Sequence, residues 1–162
     1  MNIQSATLRT PKLRFPEFSE EWEENELANI AKIQRGKFTP RPRDNPIYYG
    51  GTIPFLQTGD VVNSKGRIRN YSQTLNSKGL GVSKKFIKGD ILITIAASIG
   101  FAGVLEIDSA CPDSLVGICV NEDIHNYFFN YLLNIEQPRM EYLADNSSQK
   151  ILGSFLFFSA AL

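Results

Sequence analysis

Residues 90–97 read Asp-Ile-Leu-Ile-Thr-Ile-Ala-Ala, a β-branched run whose natural state is a buried strand. About thirty residues on, the period changes. Ile124, Tyr127, Phe128, Tyr131, Leu132 and Ile135 fall at i, i+3, i+4, i+7, i+8 and i+11, the apolar stripe of an amphipathic helix. A chain holding both patterns must pack a helix against strands, which confines it to a mixed α+β class. Residues 100–107 and 115–120 read as neighbouring strands, and 53–56 as a short buried one. Pro138 is predicted to break the helix, with a second short helix carrying Met140 and Leu143. Trp22, Leu27 and Ile30 share one side of a short helix starting near Asn25, a good N-cap. Residues 37–52 hold Pro40, Pro42, Pro46, Gly50 and Gly51, a density that predicts a loop. Gln57, Thr58, Gly59 and Asp60 read as a polar turn, and 63–85 as a hairpin with one helical turn.

The 162 residues suit one domain, long enough to bury a core without staples. No repeat, low-complexity stretch or Gly/Ser linker marks a boundary. Residues 1–21 form an expected N-terminal arm, extended over 8–21, and 153–162 an atypical apolar tail. The first ten residues carry no apolar signal region, and no apolar run reaches the roughly 18 residues of a membrane span. Cys111 and Cys119 give no disulfide framework and are too few for zinc, so two half-buried thiols in a reducing cytoplasm are expected.

Net charge is zero, but the charges are segregated. Residues 1–31 carry net −3, residues 32–88 net +10, and residues 89–162 net −7. A basic surface of that size attracts a polyanion and releases condensed counterions on binding. The competing explanation is a solvated basic face paired with the acidic third, and charge alone does not separate the two.

The chain carries few signs of catalytic chemistry. His125, the only histidine, falls on the helix away from its apolar stripe, with no partner that would make it a general base. Asn45-Pro46-Ile47-Tyr48 resembles the Asn-Pro-Pro-Tyr run of adenine-amino methyltransferases, but one proline is missing and no glycine-rich cofactor turn accompanies it. Pro112-Asp113 has no following acid–x–lysine pair to complete a nuclease metal site. Phosphate loop, dinucleotide turn and nucleophile elbow are all absent. What remains is a basic, amide-rich stretch with Phe38, Tyr48, Tyr49 and Tyr71 interleaved. These are the residue types that hold phosphates and read base edges.

An ordered set of short motifs runs along the chain. It comprises Leu13-Arg14-Phe15-Pro16-Glu17-Phe18, Trp22, Leu27, Ile30, and Gly36-Lys37-Phe38-Thr39-Pro40. It continues with Tyr48-Tyr49-Gly50-Gly51, Ile53-Pro54-Phe55, Gly59-Asp60-Val61, Gly89-Asp90-Ile91-Leu92-Ile93-Thr94, Ile99-Gly100 and Ser114-Leu115-Val116. The set resembles one target recognition domain of a type I restriction–modification specificity subunit, over roughly residues 8–152. The resemblance implies an α+β fold: a mixed, mainly antiparallel twisted sheet with flanking helices. It also implies a non-catalytic, cofactor-free cytoplasmic reader of one half of a split duplex DNA site. The partners it implies are the methyltransferase (modification) and restriction subunits. After Ser147-Ser148-Gln149-Lys150-Ile151-Leu152 the family proceeds toward a proline-containing turn and a long helix, whereas this chain continues Gly153-Ser154-Phe155-Leu156-Phe157-Phe158. That departure implies a truncated or frame-shifted product, or a cassette from a shuffling locus.

The expected DNA-contact surface comprises Arg35, Lys37, Arg41, Arg43, Lys65, Arg67, Arg69, Lys84 and Lys85. Gln57, Thr58, Asn63, Asn70 and Gln73 are candidates for base edges, and Thr39, Tyr48 and Tyr49 complete the set. Two alternatives stand beside it. One is a protein-interaction module that docks a methyltransferase subunit, or weakly a second copy, without binding DNA. The other is the recognition part of a fused methyltransferase–nuclease, which S-adenosylmethionine binding would expose.

Overall fold

The structure is a computed structural model that describes residues 24–146 and 159–161. The arm, Trp22 and most of the apolar tail lie outside the described residues. Among the described residues, eleven strands and four α-helices follow the order β1 (Glu24–Glu26), α1 (Leu27–Ile30), β2 (Ala31–Arg35), β3 (Tyr49–Phe55), α2 (Thr58–Asn63), β4 (Arg67–Ile68), β5 (Gln73–Leu75), α3 (Ser77–Gly81), β6 (Lys84–Phe86), β7 (Ile91–Thr94), β8 (Ala102–Leu105), β9 (Ser109–Cys111), β10 (Leu115–Val120), α4 (Asn126–Asn146) and β11 (Ser159–Ala161).

The expected α+β class holds, but the strands form two main sheets rather than one. A five-stranded sheet runs β2-β10-β7-β8-β4, and a four-stranded sheet runs β5-β3-β9-β6; β1 pairs separately with β11. Pairing is antiparallel throughout except β4 with β8 and β3 with β9. The two sheets stack face to face. Along β7, Ile91 and Ile93 point into a core shared with α1 and α4, where Leu27, Ile30, Phe129, Leu133 and Met140 meet them. Leu92 points the other way, into a second core with Leu56, Val61, Phe86, Cys111 and Leu115 between the sheets. Burial on both faces is why residues 91–94 read as a continuous apolar run rather than an alternating one. A third core of Phe38, Phe55, Leu75 and Ala110 lies on the far side of the four-stranded sheet.

Several expectations are corrected. Asn25 lies in β1, and the first helix starts at Leu27 with Glu26 as its cap. The proline-rich stretch contains a 3-10 turn at Pro46–Tyr48, and β3 already begins at Tyr49, taking both glycines through a register shift. The polar turn at 57–60 is the start of α2, where the Asp60 carboxylate accepts the backbone N–H of Gln57 at 2.7 Å. His125 precedes α4 instead of lying within it, and Cys111 is buried while Cys119 is exposed.

The largest correction concerns α4, which continues through Pro138 for 21 residues. Its inward face is also rotated from the predicted stripe. Phe129, Leu133, Met140 and Ala144 are buried, whereas Tyr131 and Ile135 are 65% and 56% exposed. Amides set this rotation. Asn130 donates to Gly66 O at 3.3 Å, Asn134 to Ala102 O at 3.1 Å and Gln137 to Ile99 O at 3.0 Å. These residues recur at helical spacing ahead of Pro138 and fasten the first part of α4 to β8 and to the turns that flank it. The contacts of Met140 and Gln137 hold the second half in line although Pro138 donates no helical bond.

Candidate nucleic-acid interface

Parallel pairing of β3 with β9 brings their C-terminal ends together at Phe55 and Ala110. The chain leaves β3 through Gln57 and Thr58, and β9 through Pro112, Asp113 and Ser114. These polar residues therefore meet at one rim, with Thr58 Oγ1 and Ser114 Oγ 3.4 Å apart. Arg35 ends β2 at the same rim. Gly36 follows it because a β-carbon there would stand 2.1 Å from Pro112 O.

A cleft of about 520 Å³ opens at this rim, walled by Arg43, Tyr49, Gln57, Gln73 and Pro112 over the Phe38 and Phe55 rings. Asp113 organises one side. Its carboxylate takes Arg43 Nη2 at 2.7 Å, and its backbone carbonyl takes Arg35 Nε at 2.7 Å. Burial pushes the Asp113 carboxyl up, but the Arg43 hydrogen bond and charge, a backbone N–H and Arg35 outweigh it and hold the group below its ordinary value. The Tyr49 hydroxyl donates to Arg43 O; burial, reinforced by Asp44, pushes this phenol up. On the opposite side Gln57 Nε2 donates to Gln73 Oε1 at 3.2 Å. Each amide in such a pair keeps further hydrogen-bonding capacity for a ligand.

A second groove of about 400 Å³ runs beside the α2–β4 connection, between Asp60 and Asn70. It collects Asn63, Lys65, Arg67, Arg69 and Asn70. The two sites adjoin through Asp60, whose carboxylate accepts both Gln57 N–H and Ser72 Oγ. Arg67 lies 4.7 Å over the Tyr127 ring, and Arg69 stands 3.6 Å from Glu106. Tyr127 donates its hydroxyl to Glu106, and this bond is the largest of the influences that hold the Glu106 carboxyl below its ordinary value.

The predicted residues do not form one continuous surface. Arg35, Arg43, Tyr49, Gln57, Thr58 and Gln73 gather at the cleft, and Asn63, Lys65, Arg67, Arg69 and Asn70 at the groove. Lys84 and Lys85 lie on β6, the opposite edge of the four-stranded sheet from Gln73, about 14 Å away at three strand spacings. Lys37 neighbours β6, its carbonyl accepting Ser83 Oγ at 2.8 Å. Thr39 is exposed, with its N–H on Val82 O at 3.4 Å. Arg41 folds back on its own loop, donating to Pro40 O at 2.8 Å. Tyr48 packs edge-on against Phe38.

Both explanations of the charge segregation find support. Arg43–Asp113, Arg69–Glu106 and Lys85–Asp108 pair the basic middle with the acidic last third. Lys37, Lys65 and Lys84 make no ion pair among the described residues. Composition did not single out Asp113 or Glu106 as parts of the interface. Both are acids far along the chain from the arginines they hold. No helix among the described residues is long and apolar enough to cross a membrane.

Three solved structures share this fold. The HsdS subunit from Thermoanaerobacter tengcongensis superposes with a TM-score of 0.64 at 16% identity, over 92% of this chain and 34% of that one. A structure described as the basis of complex assembly and conformational transition of the type I R-M system gives 0.59 at 18% identity, over 83% of this chain and 32% of that one. The type I restriction-modification S subunit from M. genitalium gives 0.54 at 18% identity, over 83% and 31%. The chain thus spans about a third of the length of these relatives. Residues 19–154, most of the sequence and every core element from α1 to α4, match the type I restriction modification DNA specificity domain, and the chain belongs to that family.

Proposed function

We propose that this chain reads one half-site of a split duplex DNA target for a type I restriction–modification system, and catalyses no reaction itself. The observation that carries the reading is the cleft, which a glutamine pair and Arg43 line together, with Asp113 holding both Arg43 and the neighbouring Arg35. Glutamine is the amide that pairs bidentately with adenine, and arginine the cation that pairs with guanine. Side chains already ordered by internal bonds lose less freedom on binding. The reading unit is residues 1–152. Its partners are duplex DNA and the modification and restriction subunits, in the cytoplasm. A relative solved in the context of complex assembly supports those partners.

The test is selection of the purified chain on random duplex DNA over several rounds at two salt concentrations. Enrichment of a short fixed sequence is the expected result. Retention without enrichment, lost at the higher salt, would overturn sequence reading by the isolated chain and favour docking to a methyltransferase subunit.

A further inference from the structure

The two adjoining sites differ in chemistry. The cleft sets a glutamine pair beside one arginine that Asp113 already holds, whereas the groove between Asp60 and Asn70 offers three cations close together. Ile68 is fully buried, whereas Arg67 beside it in β4 and Arg69, which directly follows the strand, are both exposed. Two residues apart, their backbones are within about 7 Å of each other, a spacing suited to an extended polyanion. Lys65 supplies a third charge with no ion partner among the described residues. The one carboxylate lining the groove, Asp60, is occupied by Gln57 N–H and the Ser72 hydroxyl.

Helix α4 and the end of β8 brace these cations from behind. The Tyr127 ring lies under the Arg67 guanidinium, and its hydroxyl bonds the Glu106 carboxylate, which in turn faces Arg69. Glu106 is itself placed by its backbone N–H, which donates to Ile68 O at 3.0 Å. Asn130 fixes the turn before Arg67 through Gly66 O. A carboxylate this close to a polyanion repels it, so Glu106 favours binding only where holding Arg69 in place outweighs that repulsion.

We infer that the groove holds the DNA phosphate backbone, and that Tyr127 and Glu106 are positioning residues that set Arg67 and Arg69 for it, leaving base reading to the Gln57–Gln73 cleft. The inference rests on the proposed DNA reading. It separates phosphate anchoring from sequence choice within one chain.

The experiment measures affinity of the full chain for its selected duplex against salt. Removing both arginines (R67A/R69A) should flatten the slope of log K against log salt by about 2 and leave the base preference intact. The charge-matched control K78A/R139A, outside both sites, should keep the wild-type slope. E106Q should weaken binding about two- to fivefold, the effect of losing an exposed ion pair, although it removes a negative charge. Y127F, which keeps the ring under Arg67 but loses the bond to Glu106, should weaken binding in the same direction. An unchanged slope or a relaxed base preference in R67A/R69A, or unchanged or tighter binding by E106Q, would overturn the inference. Failure of the wild-type chain to bind DNA would overturn the proposed function instead. Circular dichroism and Tm show that each variant is folded.

Discussion

Replacing Asn134 by alanine sets two forces of opposite sign against each other. Alanine is the better residue in a helix interior, by about 0.6 kcal/mol, so local propensity predicts a gain in stability. The tertiary structure predicts a loss. The short strand β4 pairs only with Val104 and Leu105, so the outer edge of β8 has no strand partner at Ala102. Asn134 stands in for one. Its Nδ2 donates to Ala102 O at 3.1 Å and to Asn130 O at 2.7 Å, and its Oδ1 accepts Ala102 N–H at 3.5 Å. Ala102 is 2% exposed, so alanine at 134 leaves a buried carbonyl without its partner and the weakly bonded N–H with none. An orphaned buried group costs about 1–3 kcal/mol. Asn134 is only half-buried, so water entering beside it compensates part of this, and a loss of about 2 kcal/mol is expected. Subtracting the helical gain leaves a destabilisation of about 1.5 kcal/mol. In urea unfolding the midpoint should fall at unchanged m, and Tm should drop by roughly 3–6 °C. N134D, which turns a carboxylate oxygen toward Ala102 O, should fall further. If N134A proves as stable as the wild type or more so, α4 is not held by a hydrogen-bonded edge and the reasoning fails.

Four other outcomes can be checked. G117A should destabilise by about 1–3 kcal/mol, since its β-carbon would stand 2.0 Å from the ring of buried Phe86; calorimetry at an unchanged Tm would contradict this packing. A97G should stabilise by about 0.5 kcal/mol, because Ala97 sits at φ 64°, where the strain relieved slightly exceeds the added freedom of the unfolded chain; a lower urea midpoint would count against it. Asp113 should titrate below an ordinary aspartate, because the Arg43 hydrogen bond and charge outweigh its burial. The stability from its pair with Arg43 is then complete above the unfolded value and lost only as pH falls through the folded one, which carboxyl NMR can follow; a midpoint at or above that of an ordinary aspartate would refute the arrangement. Thiol labelling of the native chain at pH 8 should reach Cys119 first. Burial pushes the Cys111 thiol up to about 12, so it should react only on unfolding, and equal labelling rates would show that β9 is not buried as described.

The strands that depend on composition were legible. Residues 115–120 form β10 over the range expected, and the β-branched run became the central strand β7 with its two faces in different cores. Less local features were not. β9 is three residues long and owes its existence to pairing with Lys84–Phe86 and with Phe55, neither of which lies beside it in the chain. Helix α2 begins at residues that resemble a turn, and it is started by a carboxylate reaching back one turn. The predicted apolar stripe of α4 counted aromatics as inward-facing. Asn130, Asn134 and Gln137 instead bond the backbone at the sheet margin, which turns Tyr131 and Ile135 outward.

The residue types of the candidate site were visible as a basic, amide-rich middle third, but their grouping was not. Arg43 and Asp113 are 70 residues apart, and Arg69 meets Glu106 only because β4 lies parallel to β8. Sequence alone determined the α+β class, the family resemblance and a polyanion-binding composition, since these follow from periodicity and residue type. Tertiary structure alone decided which cations are paired, which remain open, and that Lys84 and Lys85 lie on a different edge from Gln73. The reason is physical. Periodicity and residue type are properties of neighbouring residues, whereas charge neutralisation depends on distances of a few ångströms that only the packing of remote strands sets.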